Sequence, residues 1–106
     1  MNQIFVSVCV LTPIYSESDQ QICSLFDSLT SSNVLPREFC FVDDNPGISR
    51  FDFIEKTKSF CDDFGIQFYY IENETNIGLT RSLNKALSLI SSEYILRCDA
   101  DDLSLN

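Results

Sequence analysis

The chain has no histidine and no tryptophan, three glycines, three prolines, and seven basic residues against sixteen acidic ones. Without histidine there is no Ser-His-Asp triad, no zinc-protease motif and no imidazole general base. The shortage of cations is equally restrictive. A formal net charge of −9 with no Lys/Arg cluster argues against nucleic acid as a partner, because phosphate backbones are held by grouped cations. Anionic membrane surfaces are disfavoured for the same reason. No Lys or Arg precedes Arg37, so the basic start of a signal peptide is missing. The longest nearly apolar stretch, residues 4–11, has the length of a strand and falls far short of a membrane span. Five cysteines fall at positions 9, 23, 40, 61 and 98, an odd number with no CxxC. Each lies among apolar neighbours, which points to buried reduced thiols in a cytoplasmic protein rather than a disulfide scaffold or a zinc site.

What is present suits one domain. The 106 residues are 44% hydrophobic, enough for a modest core. Residues 5–12 (FVSVCVLT) read as a strand buried on both faces. Ser18 or Asp19 then caps a helix with Ile22, Leu25, Phe26 and Leu29 along one stripe. A second strand, 39–42 (FCFV), runs into the turn residues Asp43, Asp44, Asn45, Pro46 and Gly47. Ser49 begins a second helical stretch, with Phe51, Ile54, Lys58 and Cys61 on one face and Gly65 as its stop. Residues 66–71 (IQFYYI) form a third strand, and Gly78 opens a third helix with Leu79, Leu83, Ala86, Leu87 and Ile90 in step. Residues 94–98 (YILRC) are a fourth strand. There are no repeats, no low-complexity tract and no linker.

Strands separated by helices predict an α/β fold, a mostly parallel Rossmann-like sheet with helices on both faces. Ligands of such sheets bind beyond the carboxyl ends of the strands, where strand order reverses. Three strands end in unusual residues: Thr12-Pro13-Ile14-Tyr15, Asp43-Asp44-Asn45, and Asp99-Ala100-Asp101-Asp102. A parallel sheet must bring these to one edge.

Each group allows a bland and a chemical reading. Asp99 and Asp101 project to one side of an extended chain, about 6.6–6.8 Å apart. They can share a hard divalent ion, Mn²⁺ or Mg²⁺, or divide between an ion and a ribose hydroxyl. A lone DxD is usually a solvated loop, but this one follows an apolar strand and shares its edge with Asp43 and Asp44. Of that second pair, one member is expected to cap the turn and the other to stay free for a ligand. Tyr15 either stacks on a base or closes the rim of the core. Arg81, one turn into the third helix, is either a phosphate contact at an anion-favouring N-terminus or a solvated surface residue.

These residues together carry a resemblance. VCVLTPIYS at 8–16, FVDDNP at 41–46, NIGLTRSLNKAL at 76–87 and EYILRCDADDLSL at 93–105 resemble the N-terminal, donor-binding half of family 2 glycosyltransferases with the glycosyltransferase A fold. The likeness is closest to bacterial enzymes of surface-polysaccharide assembly. It implies that Pro13 and Tyr15 hold a nucleotide base, that Glu17 approaches the ribose and that Asp44 pairs with a uracil ring. It further implies Asp101 as the direct metal ligand and Asp99 as a second acid nearer the ribose. Arg81 matches a basic residue whose place in the family varies, and Ser16 stands where the family usually has Asn.

The resemblance implies a UDP-sugar or other nucleotide-sugar donor, a glycan or lipid-linked acceptor, and Mn²⁺ or Mg²⁺. It also implies a cytoplasmic protein, peripheral at the inner face of the membrane in the complete enzyme. The family's acceptor half and catalytic base follow the DxD, so residues 1–106 read as a single donor-binding domain without a catalytic residue of its own. An exposed sheet edge is then expected to favour self-association. Two rival readings remain at this level. A receiver-like phosphoacceptor domain shares the plan and the clustered aspartates, but it needs an acidic pair after the first strand and a late lysine, and none follows Lys85. An inert fragment or interaction module would keep the fold and bind nothing.

Overall fold

The computed structural model describes residues 3–99. Seven elements alternate: β1 (Ile4–Ile14), α1 (Asp19–Thr30), β2 (Val34–Asp43), α2 (Phe51–Phe64), β3 (Gln67–Glu72), α3 (Leu79–Leu87) and β4 (Tyr94–Arg97). The strands make one sheet in the order β3-β2-β1-β4, with every pairing parallel. The α/β expectation therefore holds. β2 and β3 lie to one side of β1 and β4 to the other, so strand order reverses between β1 and β4.

The two faces have separate cores, because residues alternate along each strand. Val10, Ile14, Phe39 and Phe41 pack with Ile22, Leu25 and Phe26 of α1 and Phe53 and Cys61 of α2. Cys9, Leu11, Cys40 and Val42 pack under Ala86 of α3. None of the five cysteines is in a disulfide. Burial pushes the Cys9 and Cys61 thiols up to about 12 and that of Cys40 up to about 11, so these three are inert packing groups.

α1 begins as its sequence suggests. Ser18 caps it and Gln21 returns the bond to the Ser18 N–H, a complete capping box. α2 departs from expectation. It starts at Phe51, not Ser49, and its buried face is Phe53, Thr57 and Cys61 while Phe51 is 66% exposed. Thr57 can sit in that face because its hydroxyl donates to the Phe53 carbonyl at 2.6 Å. Gly65 ends the helix at φ 67°, a left-handed conformation suited to glycine.

β2 is longer than its apolar run, extending back through Pro36 and Glu38. β3 joins only from Glu38 onward, so near Pro36 the strand has a neighbour on one side alone, where proline is tolerated. α3 is also rotated from its apolar stripe. Ser82 and Ala86 are buried, whereas Leu79 and Leu87 are nearly half exposed.

Candidate active site

A cavity of about 390 Å³ opens at the carboxyl ends of β1, β2 and β4. Pro13, Tyr15, Glu17, Asp44 and Asp99, expected from the sequence to hold a ligand, all line it. Gly78, Leu79 and Ser82 of the α3 region form one wall, and Arg97 lies beside Asp99 on β4's side. Asp101 lies outside the described residues. Arg81 is exposed on the first turn of α3 and is not among the lining residues; the cation in the wall is Arg97. No group of three His, Cys, Asp or Glu side chains converges among the described residues.

The two aspartates ending β2 have different surroundings. Asp43 is wholly buried. Its Oδ1 accepts the Asn45 N–H at 3.0 Å, forming the expected turn. Its Oδ2 accepts from Arg50 Nε at 3.3 Å and from the Tyr70 hydroxyl at 2.6 Å.

Asp44 is 7% exposed, and the chain itself supplies donors to both of its oxygens. Asn73 Nδ2 (2.9 Å) and the Ile77 N–H (2.8 Å) reach Oδ1, and the Gly78 N–H (2.9 Å) reaches Oδ2. Burial alone would raise this carboxyl's pKa, but the bonds from Ile77, Asn73, Gly78 and Ser82 outweigh it and hold it below the usual range. Asp44 thus takes the two amides that lead into α3, those of Ile77 and Gly78, while the helix itself has no side-chain cap. Gly78 reaches that position at φ 89°, where a side chain would strain the backbone although the space beside it is open.

Sequence reasoning missed Arg50. Its side chain is fully buried at the N-terminus of α2. It meets Asp43, Asp19 Oδ1 at 3.1 Å, the Tyr15 carbonyl at 3.3 Å and the Glu17 carbonyl. One guanidinium therefore ties the β1–α1 loop to the end of β2. Its planar array of five donors suits this work, which a lysine ammonium could not reproduce. This ion pair, with the turn at Asp43 and Asn45, explains why α2 starts later than Ser49.

Asn73 was missed as well. It is buried and bridges Asp44 and Ser82 through Nδ2 while accepting from Lys85 Nζ at 3.0 Å. The loop above it is fastened locally. Glu17 Oε1 accepts the Tyr15 N–H at 2.7 Å, and Asn45 Nδ2 donates to the Tyr15 carbonyl at 3.1 Å. The Tyr15 ring remains 51% exposed, available for stacking. On the other side Arg97 holds Asp99 through Nε at 3.0 Å and Nη2 at 3.3 Å.

A cavity at the reversal point of a parallel sheet, rimmed by an aromatic ring and carboxylates, lies where α/β domains of this architecture take their ligands. Sequence comparison narrows the class. Residues 9–105 match the profile of the family described as Glycosyl transferase family 2, and the chain belongs to that family. It is also 30% identical over 105 residues to an uncharacterized glycosyltransferase of Methanocaldococcus jannaschii, covering 99% of this chain and 34% of that relative. The chain thus spans about a third of the relative's length. No solved structure matches significantly. No helix among the described residues is long and apolar enough to cross a membrane.

Proposed function

We propose that this chain is the nucleotide-diphosphate-sugar binding part of an inverting glycosyltransferase acting on a glycan or lipid-linked acceptor. The observation that carries the reading is the convergence of Pro13, Tyr15, Glu17, Asp44 and Asp99 on one cavity at the sheet's reversal point. The exposed face of Tyr15 stacks on the base. Asp44 takes hydrogen bonds from Asn73, Ile77 and Gly78, with Ser82 as a fourth donor. The ring N–H of a uracil takes the place of the Ser82 hydroxyl on this carboxylate. Glu17 lies on the same loop, beside the ribose.

Asp99 gives a hard oxygen donor at the cavity wall, and its side chain keeps 36% of its exposure. Such a donor fits Mn²⁺ or Mg²⁺, which bind through one or two carboxylates and complete their shell with phosphate and water. Asp101 is the second proposed ligand. When bound, the ion supplies positive charge against the departing diphosphate. The chain's own part is to hold the donor still, with the loop pinned by Arg50 and the α3 wall pinned by Asp44.

The test is calorimetric titration of the chain with UDP, with and without Mn²⁺. Metal-enhanced binding is expected in the parent. Asp101→Ala should lose the metal-dependent increment and keep the fold. Absence of UDP binding in the folded parent sinks the nucleotide assignment, and undiminished metal-dependent binding in Asp101→Ala sinks the metal assignment.

A further inference from the structure

Among the described residues that line the cavity, Arg97 alone carries a positive charge. Glu17, Asp44 and Asp99 set three carboxylates around the same space. An anionic ligand is repelled over most of such a wall and finds one attractive side chain.

The sheet fixes where that side chain lies. Arg97 is the partner of Leu11 in the parallel β1–β4 ladder, and paired residues of neighbouring strands share a face. Leu11 packs with Ala86 of α3, so Arg97 stands on the face of the sheet that α3 covers. Gly78 and Leu79, at the start of α3, line the same cavity. Asp44 accepts from the Ile77 and Gly78 amides, which precede the first turn. The turn itself holds no acidic residue and no side-chain cap, so it does nothing to offset the positive end of the helix dipole. A guanidinium and a helix N-terminus thus border one space.

The bond to Asp99 orients the guanidinium without exhausting it. Nε donates to Oδ1 at 3.0 Å and Nη2 to Oδ2 at 3.3 Å, a two-point contact that fixes the plane of the group. The two N–H groups of Nη1 take no part in it. Both side chains are partly open to water, 45% for Arg97 and 36% for Asp99, and pairs so exposed add little to stability. An arginine held in a fixed plane at a cavity wall, at little gain to the fold, is set to read an oxyanion.

We propose that Arg97 binds the diphosphate of the ligand, Asp99 holding the guanidinium in plane while Nη1 donates to phosphate oxygens. The chemical class is a diphosphate; for the nucleoside attached to it, the inference rests on the function proposed above. Arg97 acts on phosphate without an ion, so the contact is measurable with metal removed.

Calorimetric titrations in EDTA with uridine, UDP and inorganic pyrophosphate separate this contact from the base and from the metal. Arg97→Gln removes the charge and keeps a polar side chain. It should lower UDP and pyrophosphate affinity by about tenfold or more and leave uridine affinity within about twofold. Arg97→Lys, with the charge but without the planar fork, should fall between parent and Arg97→Gln. A merely structural role would weaken uridine and UDP together. UDP affinity unchanged in Arg97→Gln, or uridine lost in step with UDP, overturns the proposal and leaves the nucleotide assignment in place. Arg97-dependent binding of pyrophosphate in a parent that takes neither UDP nor uridine upholds the anion contact and removes the nucleotide. A parent that binds none of the three overturns both.

Discussion

At the scale of single residues, the most consequential group is Arg50. Asp43 and the Arg50 guanidinium are both wholly removed from water, so deleting the cation leaves a buried carboxylate with only Tyr70 and the Asn45 N–H. Arg50→Met should therefore lower unfolding free energy by about 3–5 kcal/mol, the range for breaking one side of a buried pair, as read by urea denaturation. A loss under about 1 kcal/mol would mean that water reaches the pair. Thr12 predicts a change of the opposite sign. Its hydroxyl is buried and has no hydrogen-bond partner among the described residues. Thr12→Val keeps the shape and removes the unmet group, so stability should rise by about 1 kcal/mol in the same assay. A destabilised valine variant would show that the hydroxyl has a partner, such as a bound water.

These two residues also mark what was legible at this scale. Asp44 and Asp99 stood out because carboxylates at the ends of apolar strands are visible in one dimension. Arg50 and Asn73 carry no such mark. Arg50 reaches acceptors more than thirty residues away in sequence, at Tyr15, Glu17 and Asp19, and Asn73 reaches back 29 residues to Asp44. No periodicity records such partnerships; only the closed sheet creates them.

At the scale of elements, order and type were readable and faces were less so. α1 turned inward the stripe its spacing shows, because Ile22, Leu25 and Phe26 are apolar without interruption. α2 and α3 did not, since Thr57 and Ser82 occupy buried positions by satisfying their hydroxyls locally, and a pattern of apolar residues cannot register that. Glu38 is the strand counterpart. It is 3% exposed within β2 and receives the N–H and hydroxyl groups of both Ser91 and Ser92, which holds the turn between α3 and β4. Burial works to raise its pKa, but these bonds prevail and set it below the usual 4.5. A carboxyl depressed in the folded state adds stability above its unfolded pKa and loses it as pH falls through the folded value. Glu38→Gln should thus cost about 1.5–3 kcal/mol near neutrality, the range for hydrogen bonds to a charged group. The deficit should shrink as pH drops below 4.5, the usual carboxyl value. Hydrogen exchange at the Leu96 and Cys98 amides should quicken in the same variant, since β1 is the only strand among the described residues that pairs with β4. Equal deficits at pH 7 and well below pH 4 would show that shape, not charge, is what Glu38 supplies.

At the scale of the whole molecule, the sheet order fixes where ligands gather, and the chemistry of the cavity limits what happens there. Transfer of a sugar needs a bound donor, a base within about 3 Å of the acceptor hydroxyl, and exclusion of water. Three carboxylates line the cavity, and each is already engaged: Glu17 by the Tyr15 N–H, Asp44 by Asn73, Ile77, Gly78 and Ser82, and Asp99 by Arg97. With no histidine anywhere in the chain, none of the described residues is left to take the proton. No strand among the described residues covers the outer flank of β4, which bears on the third requirement, because a second layer on that side is what would shield a donor sugar from solvent. The 106-residue chain should accordingly bind UDP yet leave transfer and donor hydrolysis at the no-protein background. Incubation with a panel of nucleotide sugars, Mn²⁺ and candidate acceptors, followed by quantification of released UDP, checks both. Release well above background that disappears in Asp101→Ala would mean that one of the engaged carboxylates breaks its bond when the donor arrives, and Glu17, tied only to its own loop, would be the first to test.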